Sequence, residues 1–288
     1  MRTQKFCLII VFCLFFSSLA LADEWTIVGQ LNVGRDQGYQ SVLLPDGQSV
    51  LITGGLVSGT LEPTSSCEIF DFETGQAIFT NSLPMPLYEH RLIKLDLTDE
   101  QYLTVGGITI PPNNPGRCFC YSSQTNTWVE TGELNYPRCD HTAIAFQDTD
   151  KTIKVLVAGG CTSGSRKICE IYDPKTETWE ITDELNEGRI DHTLVYFPSH
   201  QKILTVGDDN SATAELFDIP TRQWTFTTPL PISANQYRAN QGQLIIENDQ
   251  EKGLIMGGYS EDDYLTSCWI FDPITETWTE TGSLTRGG

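Results

Sequence analysis

The sequence predicts an all-β fold in which five four-stranded units pack around an axis as a β-propeller. Three columns of residues, in register along the chain, carry that prediction. In the first, an apolar run closing on glycine recurs as LITGG (Leu51 to Gly55), LTVGG (Leu103 to Gly107), VLVAGG (Val155 to Gly160), LTVGD (Leu204 to Asp208) and LIMGG (Leu254 to Gly258). The repeat glycines are Gly54, Gly55, Gly106, Gly107, Gly159, Gly160, Gly207, Gly257 and Gly258. The first of each set stands at 54, 106, 159, 207 and 257, giving spacings of 52, 53, 48 and 50 residues. In the second column a strand and a turn lead to tryptophan: CFCYSSQTNTW, CEIYDPKTETW, AELFDIPTRQW and CWIFDPITETW end in Trp128, Trp179, Trp224 and Trp278, whereas CEIFDFETGQA ends in Ala77. In the third, Leu precedes Arg by four residues at Leu31–Arg35, Leu134–Arg138 and Leu185–Arg189.

Each unit reads as four short strands. The first follows the Arg column, as in HTAIAF (His141 to Phe146) and HTLVYF (His192 to Phe197). The second ends at the glycines, the third is of the CEIYD type, and the fourth begins at Trp. Val, Ile, Leu and aromatic residues alternate with polar ones, and turn sequences such as PDG and DPKTET separate them. No segment sustains a 3.6-residue apolar period. A single four-stranded unit cannot bury both faces, and radial stacking solves this. Glycine suits the points where the backbone turns tightly and neighbours approach closely. The units span about 35–83, 87–134, 138–185, 189–230 and 238–284 of a propeller covering 23–288. Trp25 to Leu31 (WTIVGQL) matches the fourth strand of a preceding unit, so the reading is five blades plus an orphan strand, in a tightly closed ring or an incomplete six-bladed one.

The first 22 residues stand apart. Arg2 and Lys5 precede an 11-residue apolar run, Phe6 to Phe16, and Ala20 and Ala22 occupy the −3 and −1 positions of a cleavage site. This is the layout of a secretory signal peptide, with a run too short to span a bilayer. A secreted, extracellular or periplasmic protein is therefore expected, with no membrane span after cleavage. The 38 acidic and 18 basic residues give a net charge of −20, which becomes −22 over 266 residues once residues 1–22 are removed. Such a balance argues against a nucleic-acid partner, which requires clustered Lys and Arg.

The columns resemble the kelch repeat: a glycine pair after an apolar strand, an acidic–aromatic strand (Glu68 and Phe70, Glu170 and Tyr172, Glu215 and Phe217), then Trp. The resemblance runs from Trp25 to Trp278. Departures are Asp208 for the second glycine, Ala77 for Trp, and Phe119 and Trp269 for the acidic residue. The resemblance implies the propeller fold but leaves function open, because kelch propellers include binding modules, oxidases and sugar isomerases.

Polar constellations open the first strands: Arg35; Glu89 and His90; Arg138, Asp140 and His141; Arg189, Asp191 and His192; Arg238. One reading is a ring of Arg and His around the channel mouth, where Arg would take carboxylates of acidic peptides or sugars through paired hydrogen bonds. The other is that they recur because each blade needs them to hold the next, and the repeated RxDH favours it. The loops after the glycines vary, as binding loops do. Glu261, Asp262 and Asp263 make the fifth acidic without the spacing of a calcium loop.

Of nine cysteines, Cys7 and Cys13 lie in the leader. Cys67, Cys118, Cys169 and Cys268 share one repeat column with Ala214, which places them in different blades, too far apart to pair, as small buried apolar residues. Cys161 and Cys169 flank one loop, and a local disulfide between them is expected. Cys118 and Cys120 share a strand face, but two sulfurs do not make a zinc site, and no metal or other cofactor is expected.

No nucleophile elbow, phosphate loop or zinc-protease motif occurs. Galactose-oxidase-like enzymes of the resembled superfamily require copper held by tyrosines and histidines, and four His in the chain do not suit it. The reading is a non-catalytic module binding a protein or peptide, less readily a glycan, through loops on one face. The alternative is a mutarotase or epimerase of carboxylated sugars such as sialic acid, with Arg138, Arg189 or Arg238 and Glu89 or His141 as the reacting groups.

Overall fold

The computed structural model describes residues 27–95, 100–110, 116–161, 164–208, 211–232, 241–260 and 263–285. Trp25, Arg238 and residues 1–22, where a signal peptide is expected, lie outside these residues. The described chain is built from five four-stranded antiparallel sheets in consecutive order, each a simple meander. Sheet 1 holds β1 (Gln40–Leu43), β2 (Ser49–Thr53), β3 (Cys67–Asp71) and β4 (Gln76–Thr80). Sheet 2 holds β5 (Arg91–Lys94), β6 (Gln101–Val105), β7 (Cys118–Ser122) and β8 (Thr127–Thr131). Sheet 3 holds β9 (Thr142–Gln147), β10 (Ile153–Ala158), β11 (Cys169–Asp173) and β12 (Thr178–Ile181). Sheet 4 holds β13 (Thr193–Phe197), β14 (Lys202–Asp208), β15 (Ser211–Asp218) and β16 (Gln223–Thr227). Sheet 5 holds β17 (Gln241–Glu247), β18 (Gln250–Met256), β21 (Cys268–Asp272) and β22 (Thr277–Glu280), and the hairpin β19 (Tyr259–Ser260) and β20 (Asp263–Tyr264) stands in its loop.

The first strands of successive sheets pack against one another, β1 on β5, β5 on β9, β9 on β13 and β13 on β17, so they line the axis. Residues alternate between sheet faces. On β2, Leu51 faces sheet 2 while Val50 and Ile52 belong to the opposite face with Phe70. The core is thus a series of layers between sheets. Leu103, Val105, Cys118, Val155, Val157 and Tyr172 fill the layer between sheets 2 and 3. Leu156, Cys169, Ile203, Phe217 and Trp224 fill the next.

The third and fourth strands of each sheet are joined by a tight turn with one residue in the left-handed region. Gly75, Asn126, Glu177, Arg222 and Glu276 hold that place, with φ of 68°, 53°, 57°, 62° and 53°. An Asp just before the turn stabilises it: Asp71 Oδ1 accepts from Thr74 N at 2.7 Å and Asp218 Oδ1 from Thr221 N at 2.9 Å.

Tryptophan of the fourth strand lies on the aromatic of the third, with centroids 4.8 Å apart for Tyr121–Trp128, 5.0 Å for Tyr172–Trp179 and 4.8 Å for Phe271–Trp278. Its Nε1 donates to a carbonyl of the preceding sheet's exit: Trp128 to Asn81 at 2.9 Å, Trp179 to Gly132 at 3.0 Å, Trp278 to Thr228 at 2.7 Å. These three tryptophans are therefore sheet-to-sheet clasps, whereas Trp224 Nε1 has no such hydrogen-bond partner among the described residues. The orphan strand follows the same rule. Gly29 lies against the turn of sheet 1, where an added Cβ would come 2.0 Å from Gly75 O; Gly132 stands likewise 2.0 Å from Glu177 O.

Candidate functional site

Strand direction sets the geometry of the site. The connections into the first strands and the loops after the glycines emerge at the same end of the ring, here called the loop end. Most of the sequence-predicted site residues are buried rather than exposed there. Arg35, Arg138 and Arg189 are buried, at 6%, 0% and 0% exposure. Each pairs with the glutamate of its own sheet's third strand: Arg35–Glu68 at 3.0 Å, Arg138–Glu170 at 2.6 Å and Arg189–Glu215 at 2.8 Å. Arg138 Nη1 also donates to the carbonyls of Gly159 and Ile168, both at 2.8 Å. The glutamate takes further donors from the incoming connection. Glu170 accepts from Asn135 N (2.8 Å), Asn135 Nδ2 (2.9 Å) and Tyr136 N (3.1 Å). Charges removed from water in this way need every remaining hydrogen bond satisfied, and the Leu-Asn-x-x-Arg sequence supplies the donors. The asparagine was the part of this column that the sequence reading passed over.

The histidines are buried too. An added Cβ on Gly54 would meet His90 Cε1 at 2.9 Å, on Gly106 His141 Cε1 at 3.0 Å, and on Gly159 His192 Cε1 at 2.7 Å. Each imidazole thus sits under the first glycine of the preceding sheet, which explains both columns at once. His90 Nε2 lies 2.8 Å from Thr53 Oγ1. In the next two sheets Val105 and Ala158 replace that threonine, and both nitrogens of His141 and of His192 lack a protein partner among the described residues. Burial holds the His90 pKa down at about 3 and those of His141 and His192 well below the usual range. These three are neutral packing groups between blades.

The disulfide expectation is corrected. Cys161 is bonded to Cys139, across a Cα–Cα distance of 5.4 Å. Cys169 opens β11 with its side chain in the layer between sheets 3 and 4, so it faces away from its own loop. Cys161 lies just past the glycine pair, where its backbone N donates to Cys139 O at 2.7 Å. Cys67, Cys118, Cys169 and Cys268 are free and buried. Burial pushes the first three up to about 11, 12 and 12.

What remains accessible at the loop end differs from the expected ring. Glu89, Asp140 and Asp191 are half-buried with φ of 56°, 49° and 48°. The carboxyl of Glu89 is raised to about 7 by burial and by the Asp140 carboxylate, with which it shares a hydrogen bond. Arg91, half-buried, feels all three acids; burial lowers its pKa while the carboxylates oppose that shift. Sequence reading missed Arg91, although it is legible as EHR where the next two units have DHT.

A cleft of about 770 Å³ lies between sheets 3 and 4. Gly164, Arg166 and Lys167 come from the loop after Gly160, Asn186 and Glu187 from the connection into sheet 4, and Ser211 from the start of β15. The frame is tied: Lys167 Nζ donates to Asn186 O at 2.8 Å, and Arg189 N to Arg166 O at 2.8 Å.

Against known proteins, the Kelch motif model matches residues 154–186 and 254–285. The chain is a kelch-repeat β-propeller. It is 24% identical over 186 residues to an F-box/kelch-repeat protein of Arabidopsis thaliana, an alignment covering 58% of this chain and 40% of the relative. It is 37% identical over 67 residues to Kelch-like protein 7 of Rattus norvegicus, covering 22% and 11%. It is 23% identical over 204 residues to human Kelch-like protein 15, covering 63% and 32%. These alignments take in less than half of each relative. A solved structure, that of YjhT, superposes with a TM-score of 0.66 at 16% identity, over 91% of this chain and 88% of the other. That likeness is of fold. In the kelch propeller described here, no helix among the described residues is long and apolar enough to cross a membrane.

Proposed function

We propose that this kelch propeller is a secreted, non-catalytic binding module that takes a protein or peptide in the loop-end cleft between sheets 3 and 4. The cleft supports this reading: about 770 Å³ of polar-lined space held by hydrogen-bonded backbone, with Arg166 and Lys167 on one wall and Glu187 on another. Charges of both signs on a rigid frame suit a peptide, whose own backbone and side chains offer both. The kelch relatives support a binding module in general. The leader-like residues 1–22 support secretion. The sugar-isomerase reading loses Arg138, Arg189 and His141 to packing; of its other groups, Glu89 stays half-buried at the loop end and Arg238 lies outside the described residues.

The test is capture of extracellular proteins by the full chain, followed by affinity measurement on the partner found. Arg166→Glu/Lys167→Glu is expected to weaken binding at least tenfold, whereas Lys154→Glu, at the opposite end of sheet 3, is expected to leave it unchanged. Equal affinity for both variants rejects the cleft. Turnover in a sialic-acid anomer-exchange assay rejects the non-catalytic reading.

A further inference from the structure

We propose that Cys139, Asp140 and Cys161 form a metal site for a thiophilic divalent cation such as zinc, closed while the two sulfurs are bonded to each other and opened by their reduction. Asp140 Oδ2 lies 3.8 Å from Cys139 Sγ, and one ligand atom from each of the three residues lies within 4.8 Å of the others. They form the one such group with two sulfurs among the described residues. Zinc takes thiolate and carboxylate ligands in a tetrahedron, and three protein ligands with one water is the arrangement of an open site.

The backbone keeps the ligands together once the sulfur bond is gone. Cys161 N donates to Cys139 O at 2.7 Å and Gly160 N to Arg189 O at 2.9 Å. The matching junctions of sheets 1 and 2 are held by backbone alone, without cysteine: Leu56 N to Gln37 O at 2.9 Å, and Ile108 N to Tyr88 O at 2.8 Å. The cross-link is therefore not what closes this junction, and the Cα atoms stay near 5.4 Å after reduction. Zinc–sulfur bonds of about 2.3 Å place two tetrahedral thiolates about 3.8 Å apart, a spacing that side-chain rotation reaches from that frame. Cys161 and Asp140 are half-buried at the loop end, so ions have access.

The chemistry balances. A dithiol reductant gives two electrons and two protons to the sulfur–sulfur bond and becomes a disulfide, leaving two thiols. Metal binding then forms two metal–sulfur bonds and releases the two thiol protons to solvent.

The full chain is reduced with a phosphine, freed of it under inert gas and titrated with Co²⁺. The expected result is a thiolate-to-cobalt charge-transfer band that saturates at one equivalent, is displaced by Zn²⁺ and is absent from the oxidised protein. Asp140→Asn is expected to weaken Co²⁺ binding about tenfold or more, and Cys139→Ser/Cys161→Ser to abolish the band. No band in the reduced protein, or an undiminished band in the double variant, overturns the site. A second measurement uses only the unaltered sequence: Zn²⁺ is expected to slow alkylation of reduced Cys161 about tenfold or more, and equal rates with and without Zn²⁺ overturn the proposal.

Discussion

Leu87 and Phe119 occupy in sheet 2 the two positions that a buried ion pair fills in sheets 1, 3 and 4, and both are fully buried. Leu87 stands four residues after Leu83, as Arg138 does after Leu134, and Phe119 follows Cys118 as Glu170 follows Cys169. Both partners changed together. Loss of one alone would leave an uncompensated charge, whereas an apolar pair of similar bulk packs without penalty.

That substitution, already present in the chain, suggests an experiment. Arg138→Leu is expected to lose about 3–5 kcal/mol by leaving Glu170 unpaired in the interior. Adding Glu170→Phe should recover a large part of the loss, because the carboxylate leaves with its partner. Urea unfolding of the two singles and the double reads the coupling; simple additivity would show that the pair does not act as a unit.

The buried histidines make the ring sensitive to acid. Burial lowers the pKa of His90 to about 3 and that of His192 well below its usual value, while in the unfolded chain each titrates near 6.5. The unfolded state therefore binds more protons as pH falls below about 6.5. Stability is full above that pH and falls by up to about 1.4 kcal/mol per pH unit for each histidine, for His90 down to about pH 3. Melting temperature followed from pH 7 to pH 4 is expected to drop less steeply in His192→Gln than in the unaltered protein. Parallel curves would dismiss His192 as a contributor.

Gly54 has no room for a side chain. A Cβ there would come 2.3 Å from Leu87 O, at a φ of 58° that other residues avoid. Gly54→Ala is expected to cost about 2 kcal/mol or more. Gly47→Ala, whose Cβ would meet nothing within 4 Å at a φ of 68°, bears the conformational cost alone and should be milder. Thermal denaturation of the two variants ranks them, and the reverse order would contradict the packing described.

Reduction is expected to lower the stability against unfolding while the junction and the ring stay folded. Closing a chain of 22 residues corresponds to about 3 kcal/mol in the loop-entropy account. Under native conditions Cys161, half-buried, should be alkylated after reduction, whereas Cys67, Cys118 and Cys169, buried and with raised pKa, stay protected. Peptide mapping of the oxidised chain should find Cys139 joined to Cys161. Recovery of a Cys161–Cys169 peptide would contradict the structure.

The propeller was legible because its causes are periodic. Glycines under which a histidine must fit, and a tryptophan that must reach the preceding exit, recur wherever the same junction recurs. The site was less legible. Arg138 and His141 have the side chains of a binding site, and only their burial shows that they serve packing. Arg91 was hidden for the opposite reason, as a single residue that differs from the threonine of the next two units, Thr142 and Thr193.

Sequence by itself determined that this protein is all-β, that it repeats about every fifty residues, and that each unit forms four strands stacked around an axis. Those features follow from local backbone preference and from apolar alternation, which neighbouring residues define. Tertiary structure alone decided which way each polar group turns: arginine inward to glutamate, Cys161 across to Cys139, and Arg166 and Lys167 outward into the cleft. Such choices depend on distances between segments 20 or more residues apart, such as the 22 between Cys139 and Cys161. Burial and electrostatics settle them only once the sheets have packed.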